Sequence, residues 1–173
     1  MPNVTLVPAT PQQQPVIANL LELYIHDFSE FLPFELSADG TFGYPGLSLY
    51  WSAPGRYPFL VKVDGHWAGL VLVKLEPPTP TNDPTWDIAE FFIVRGYRRR
   101  GIGAQVAHDI WSRFPGPWTV RVMQINQAGL PFWERAITAF TGHKIEPSSF
   151  ERDGQFWTHF SFLSPPAPQI PAS

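Results

Sequence analysis

Apolar positions set out most of the chain's elements before any composition is considered. Val4–Val7 is a short β-branched run closed by Pro8 and Pro11, which predicts a first strand and a turn. From Pro15 to Leu32 the residues Ile17, Leu20, Leu21, Tyr24, Ile25, Phe28 and Phe31 recur at helical spacing, predicting an amphipathic helix that stops at Pro33. Residues 34–56 mix Gly, Pro and aromatics without a period and read as an irregular covering segment. Strands at about 57–63 and 66–75 flank Asp64-Gly65, a pair suited to the positive φ angles of a two-residue hairpin turn.

Four prolines between Glu76 and Thr85 predict an exposed connector. Trp86–Val94 becomes apolar on both faces, as a covered central strand does. Ile102, Val106, Ile110 and Phe114 then mark a helix ended by Pro115-Gly116-Pro117. Trp118–Ile125 alternates as a strand, and Leu130, Trp133, Ile137 and Phe140 mark a further helix with Gly142 as its stop. Two last strands surround Asp153-Gly154, before a proline-rich tail at 164–173 expected to move freely. The order predicts an α/β fold, a mixed central sheet of about six to seven strands with helices on both faces, in one domain over 1–163.

Composition narrows the function classes. The 173 residues carry a net charge of −3, which argues against a general nucleic-acid binder. There is no cysteine, so thiolate catalysis and Cys-based zinc are excluded, and the five histidines show no metal-ligand spacing. No run approaches the roughly 20 apolar residues of a membrane span. The first residues lack a basic region followed by an apolar core, so no membrane partner and a cytoplasmic location are expected.

The chemistry concentrates at Arg98-Arg99-Arg100-Gly101-Ile102-Gly103, between a strand and a helix. Gly101 and Gly103 allow several N–H groups to converge at a helix N-terminus, and the arginines add charge suited to a diphosphate. A dinucleotide fingerprint would need glycine at Val106, and a phosphate loop of the Gly-Lys-Ser type is absent. The hexapeptide resembles the Arg/Gln-x-x-Gly-x-Gly/Ala motif of the GCN5-related N-acetyltransferase superfamily, and Glu90–Ile93 resembles the end of that family's fourth strand. Asn126, Leu130, Phe132 and Trp133 partly match its Asn-x-x-Ala-x-x-aromatic-Tyr pattern.

The resemblance implies acetyl-CoA as co-substrate. Its pantetheine arm would pair with Phe91, Phe92, Ile93 and Val94, and its pyrophosphate would lie on Arg98, Arg99, Arg100, Gly101, Ile102, Gly103 and Ala104. Asn126 and Trp133 would face it from the following elements. A primary amine of a small molecule would attack the thioester directly, with Glu90 taking the proton and the Ile93 N–H facing the oxyanion. The other reading of Glu90 is a paired strand residue. Trp133 stands where the family places a proton-donating tyrosine, and an indole is too weak an acid for that role. That departure supports an alternative, a CoA-binding module without turnover. Tyr24, Asp27, Phe28 and Tyr44 are the candidate acceptor residues, and a homodimer is one assembly the family allows.

Overall fold

A computed structural model describes residues 1–80 and 83–166. Seven strands form one mixed sheet in the order β1-β2-β3-β4-β5-β7-β6. They are β1 (Val4–Pro8), β2 (Arg56–Val63), β3 (His66–Glu76), β4 (Thr85–Ile93), β5 (Gly116–Met123), β6 (Ser148–Arg152) and β7 (Gln155–Ser164). The helices are α1 (Gln14–Phe28), α2 (Leu49–Ser52), α3 (Ile102–Arg113) and α4 (Gly129–Thr141). The described residues form two compact units, residues 1–74 with 88–103 and residues 75–80 and 83–87 with 104–166.

In the first unit, β1, β2 and β3 pair antiparallel, and the β2–β3 turn places Asp64 at φ 50° and Gly65 at φ 83°. Ile17, Leu20 and Leu21 of α1 are buried against Leu60, Leu70, Leu72 and Phe92, which accounts for the periodicity of that helix. In the second unit β4 runs parallel to β5 through Trp86↔Trp118 and Asp87↔Thr119, while β7 pairs antiparallel with both β5 and β6. Trp111, fully buried on α3, packs edge-on to Phe140 and Phe162. Gly142 ends α4 in the left-handed conformation at φ 79°, as its sequence position predicts.

Several boundaries differ from the sequence reading. α1 stops at Phe28 instead of running to Leu32, because the Ser29 hydroxyl donates to the His26 carbonyl at 2.6 Å and Leu32, which precedes a proline, is steered away from helical geometry. The segment 34–56 contains α2, a single turn too short to show a period. β5 is shifted two residues toward the N-terminus. It absorbs Gly116 and Pro117, which pair with Ser164 and Leu163, and it ends at Met123, where Asn126 N–H turns back to the Met123 carbonyl. Of the proline-rich tail, residues 167–173 lie outside the described residues.

Candidate active site

The end of β4 is shaped by a glycine on its neighbour. A Cβ at Gly69 of β3 would lie 2.1 Å from the Phe92 carbonyl oxygen, so the two backbones approach where no side chain fits. The β2–β3 register shifts at Val61/Lys62, leaving Ala68 as the extra residue, and the Ala68 carbonyl accepts the Val94 N–H at 2.8 Å. Alternation along the strand sends the Ile93 N–H to the opposite edge of β4.

After Val94 the chain makes a single 3-10 turn, Arg95–Tyr97, and reaches the arginine run. Arg99 at φ 61° and Gly101 at φ 77° adopt the left-handed conformation, of the kind that in a turn can gather successive N–H groups around an anion. A Cβ at Gly101 would meet nothing within 4 Å, so the turn is open on that side. Ile102 is buried and anchors the first turn of α3, whose leading N–H groups have no partner within the helix. Arg99 and Arg100 are exposed, and no carboxylate among the described residues pairs with either. A diphosphate fits these donors: open backbone N–H groups, a helix head and two exposed cations.

Arg98 is placed differently from its neighbours. Its Nε donates to the Ile93 carbonyl at 2.6 Å, its guanidinium lies 5.5 Å above the Phe92 ring, and its second nitrogen pairs with Asp27. Arg95 donates to the same Asp27 at 3.0 Å. Burial raises the Asp27 pKa, but the hydrogen bonds and charges of Arg98 and Arg95 outweigh it and hold the carboxyl below its usual range. Asp27 therefore holds two arginines of the turn, and its carboxylate is occupied on both oxygens.

Tyr24, Phe28 and Tyr44 do come together with β4. Tyr24 packs edge-on to Phe28 at 4.9 Å and lies 5.7 Å from Phe92. The Tyr44 hydroxyl donates to Glu90 Oε1 at 2.8 Å. Burial, and then the Glu90 charge, raise the pKa of both phenols well above the usual value. Glu22 of α1, which no motif singles out, accepts the Phe42 and Gly43 N–H groups at 2.7 and 2.8 Å. No local pattern announces a carboxylate whose partners lie twenty residues away.

The remaining candidates belong to the second unit. Ala104 lies half-buried in the first turn of α3. Asn126 Oδ1 accepts the Gly129 N–H at 2.9 Å and so opens α4, a role readable in principle from Asn three residues before a helical glycine. A Cβ at Gly129 would press to 2.6 Å from the Asn126 side chain. Trp133 is buried, 4.8 Å from Phe132 and 6.2 Å from Trp111. The same unit holds an ion pair absent from the sequence reading: Asp87, fully buried, receives both Arg121 Nε at 3.2 Å and its terminal nitrogen at 2.6 Å.

A family model described as the Acetyltransferase (GNAT) family matches residues 17–136. Among solved structures, an acetyltransferase from Thermus thermophilus is similar at 18% identity and a TM-score of 0.63, covering 93% of this chain and 97% of its own. Spermidine N-acetyltransferase from Vibrio cholerae, in complex with CoA and spermine, is similar at 16% identity and 0.60, covering 93% and 95%. Arabidopsis thaliana NAA60, in complex with acetyl-CoA, is similar at 12% identity and 0.58, covering 93% and 98%. No curated protein matches the chain.

Proposed function

The chain belongs to the GNAT acetyltransferase family, and on that premise we propose that residues 1–163 act as one domain transferring acetyl from acetyl-CoA to a primary amine of a small molecule. The observation that carries this reading is the open turn with left-handed Arg99 and Gly101, one strand end away from a carboxylate held by a half-buried tyrosine. The relatives in complex with CoA and acetyl-CoA support the choice of co-substrate, and spermidine N-acetyltransferase supports a small amine acceptor.

Acetyl-CoA supplies the thioester carbonyl that the amine attacks. The N–H groups of Arg99–Ala104, with the Arg99 and Arg100 side chains, bind its diphosphate. Phe91 and Ile93 present backbone groups for the pantetheine arm, while Phe92 faces the aromatic cluster of α1. The Ile93 N–H points where negative charge develops on the carbonyl oxygen. An alkylamine is mostly protonated near neutral pH, so Glu90 removes a proton before attack. Tyr24, Phe28 and Tyr44 wall the acceptor side, and Asp27, already held by two arginines, orders the cofactor turn.

The test is free-thiol release from acetyl-CoA across spermidine, tyramine, an aminoglycoside and a peptide N-terminus, with thermal shifts by CoA measured alongside. Gly103→Trp should abolish the shift, and Glu90→Gln should keep it while slowing release by about 10²-fold or more. Absence of any shift at millimolar CoA would overturn the reading. A second reading, a CoA-binding module without turnover, is favoured by buried Trp133 in place of a proton-donating tyrosine. A full CoA shift with no thiol release from any amine would select it. A cytoplasmic location is part of the same proposal. No helix among the described residues is long and apolar enough to cross a membrane.

A further inference from the structure

Residues 29–48, between α1 and α2, contain no helix or strand. Connections of that length in compact proteins are uncommon unless they serve a function. The backbone of this one is tied to α1 by Glu22. Each oxygen of Glu22 accepts one backbone N–H, from Phe42 at 2.7 Å and from Gly43 at 2.8 Å. Gly43 has φ 72°, and a Cβ there would meet nothing within 4 Å, so glycine serves the backbone reversal and not the space. The next residue is Tyr44, whose hydroxyl reaches Glu90.

We propose that Glu22 and Tyr44 are positioning residues for Glu90. Glu22 clamps the loop backbone onto α1, and the clamp delivers the Tyr44 hydroxyl to one oxygen of the Glu90 carboxylate. Tyr44 is a donor in this contact, because burial and the facing carboxylate keep its phenol protonated. A donor on Oε1 fixes the carboxylate rotamer and favours its charged form. Tyr24 faces Glu90 from α1, while Tyr50 of α2 and Arg56 of β2 act on Tyr44. The inference rests on the proposed role of Glu90 only for its effect on rate; the contact itself is independent of it.

The experiment is a pH titration of the Glu90 carboxyl carbon by NMR of glutamate-labelled protein, with Glu90→Gln identifying the signal. Tyr44→Phe keeps the ring and removes the donor, and should raise the midpoint by about one pH unit. Glu22→Gln should raise it in the same direction by less, and amide exchange at Phe42 and Gly43 should quicken. The double variant should match Tyr44→Phe alone, since Glu22 acts through Tyr44. An unmoved midpoint in Tyr44→Phe, or additive shifts in the double variant, would overturn the proposal. Glu22→Asp, which keeps the charge on a shorter arm, provides a second probe of the clamp if Glu22→Gln folds poorly. Failure of the base assignment reads on another signal, the loss or persistence of thiol release in Glu90→Gln.

Discussion

Asp27 and Asp87 are each gripped by arginine, and their surroundings give the two grips different meanings. The Asp87 side chain is 1% exposed and takes a two-pronged contact from Arg121, whereas Asp27 is 19% exposed and shares two arginines that are 69% and 40% exposed. A carboxylate deprived of water depends on its partner, so the Asp87 pair is a structural commitment of the second unit. Asp27 is less buried and its arginine partners are exposed to water, so its pairs add less stability and set where the arginines of the turn can go. An arginine–aspartate contact acquires its role from burial, which a sequence does not display.

The sharpest way to break the contrast is Asp87→Ala, which strands Arg121 and should cost about 3–5 kcal/mol, read by chemical denaturation. Replacing both partners, as Asp87→Leu with Arg121→Met, should cost less than Asp87→Ala alone. Next in size is Gly69→Ala, whose Cβ would meet the Phe92 carbonyl; it should cost up to about 3 kcal/mol and lower thiol release by displacing the strand that carries Glu90 and Ile93. Asp27→Asn should cost less than about 1 kcal/mol in the same denaturation experiment. If it costs as much as Asp87→Ala, the contrast collapses.

The two regions should also part company with pH. The depressed Asp27 pKa gives stability that is present above the usual carboxylate pKa and lost as acid protonates the group in the folded state. In the second unit burial, and then the charge of Arg121, depress the His159 pKa, with Asp87 partly opposing them. The unfolded chain then binds the proton first, so stability falls as pH drops below the ordinary histidine range. His159→Gln should flatten that slope below about pH 6.5, and Asp27→Asn should leave it unchanged.

Backbone-encoded features were legible in the sequence. Gly101 marks the turn, Asp64-Gly65 and Asp153-Gly154 mark the hairpins, and the spacing of Ile17, Leu20 and Leu21 marks the face of α1, because each is a local demand on φ or on period. Contacts between distant segments were not legible. Tyr24, Phe28 and Tyr44 are candidates on residue type and position, but nothing local joins Tyr44 to Glu90 across 46 residues or Glu22 to Gly43 across 21. Asp27 is a candidate acceptor residue in the sequence, although Arg95 and Arg98 return to it from about seventy residues away.

The clamp at Glu22 makes the segment before it exchangeable. Residues 29–41 lie between the end of α1 and the clamped pair, and doubling the length of such a flexible span adds only about 0.6 kcal/mol of closure entropy. Insertions there would leave residues 42–44 fixed to α1. The chain thus carries a replaceable span between two fixed points, one that can lengthen or change sequence without disturbing the contact between Tyr44 and Glu90.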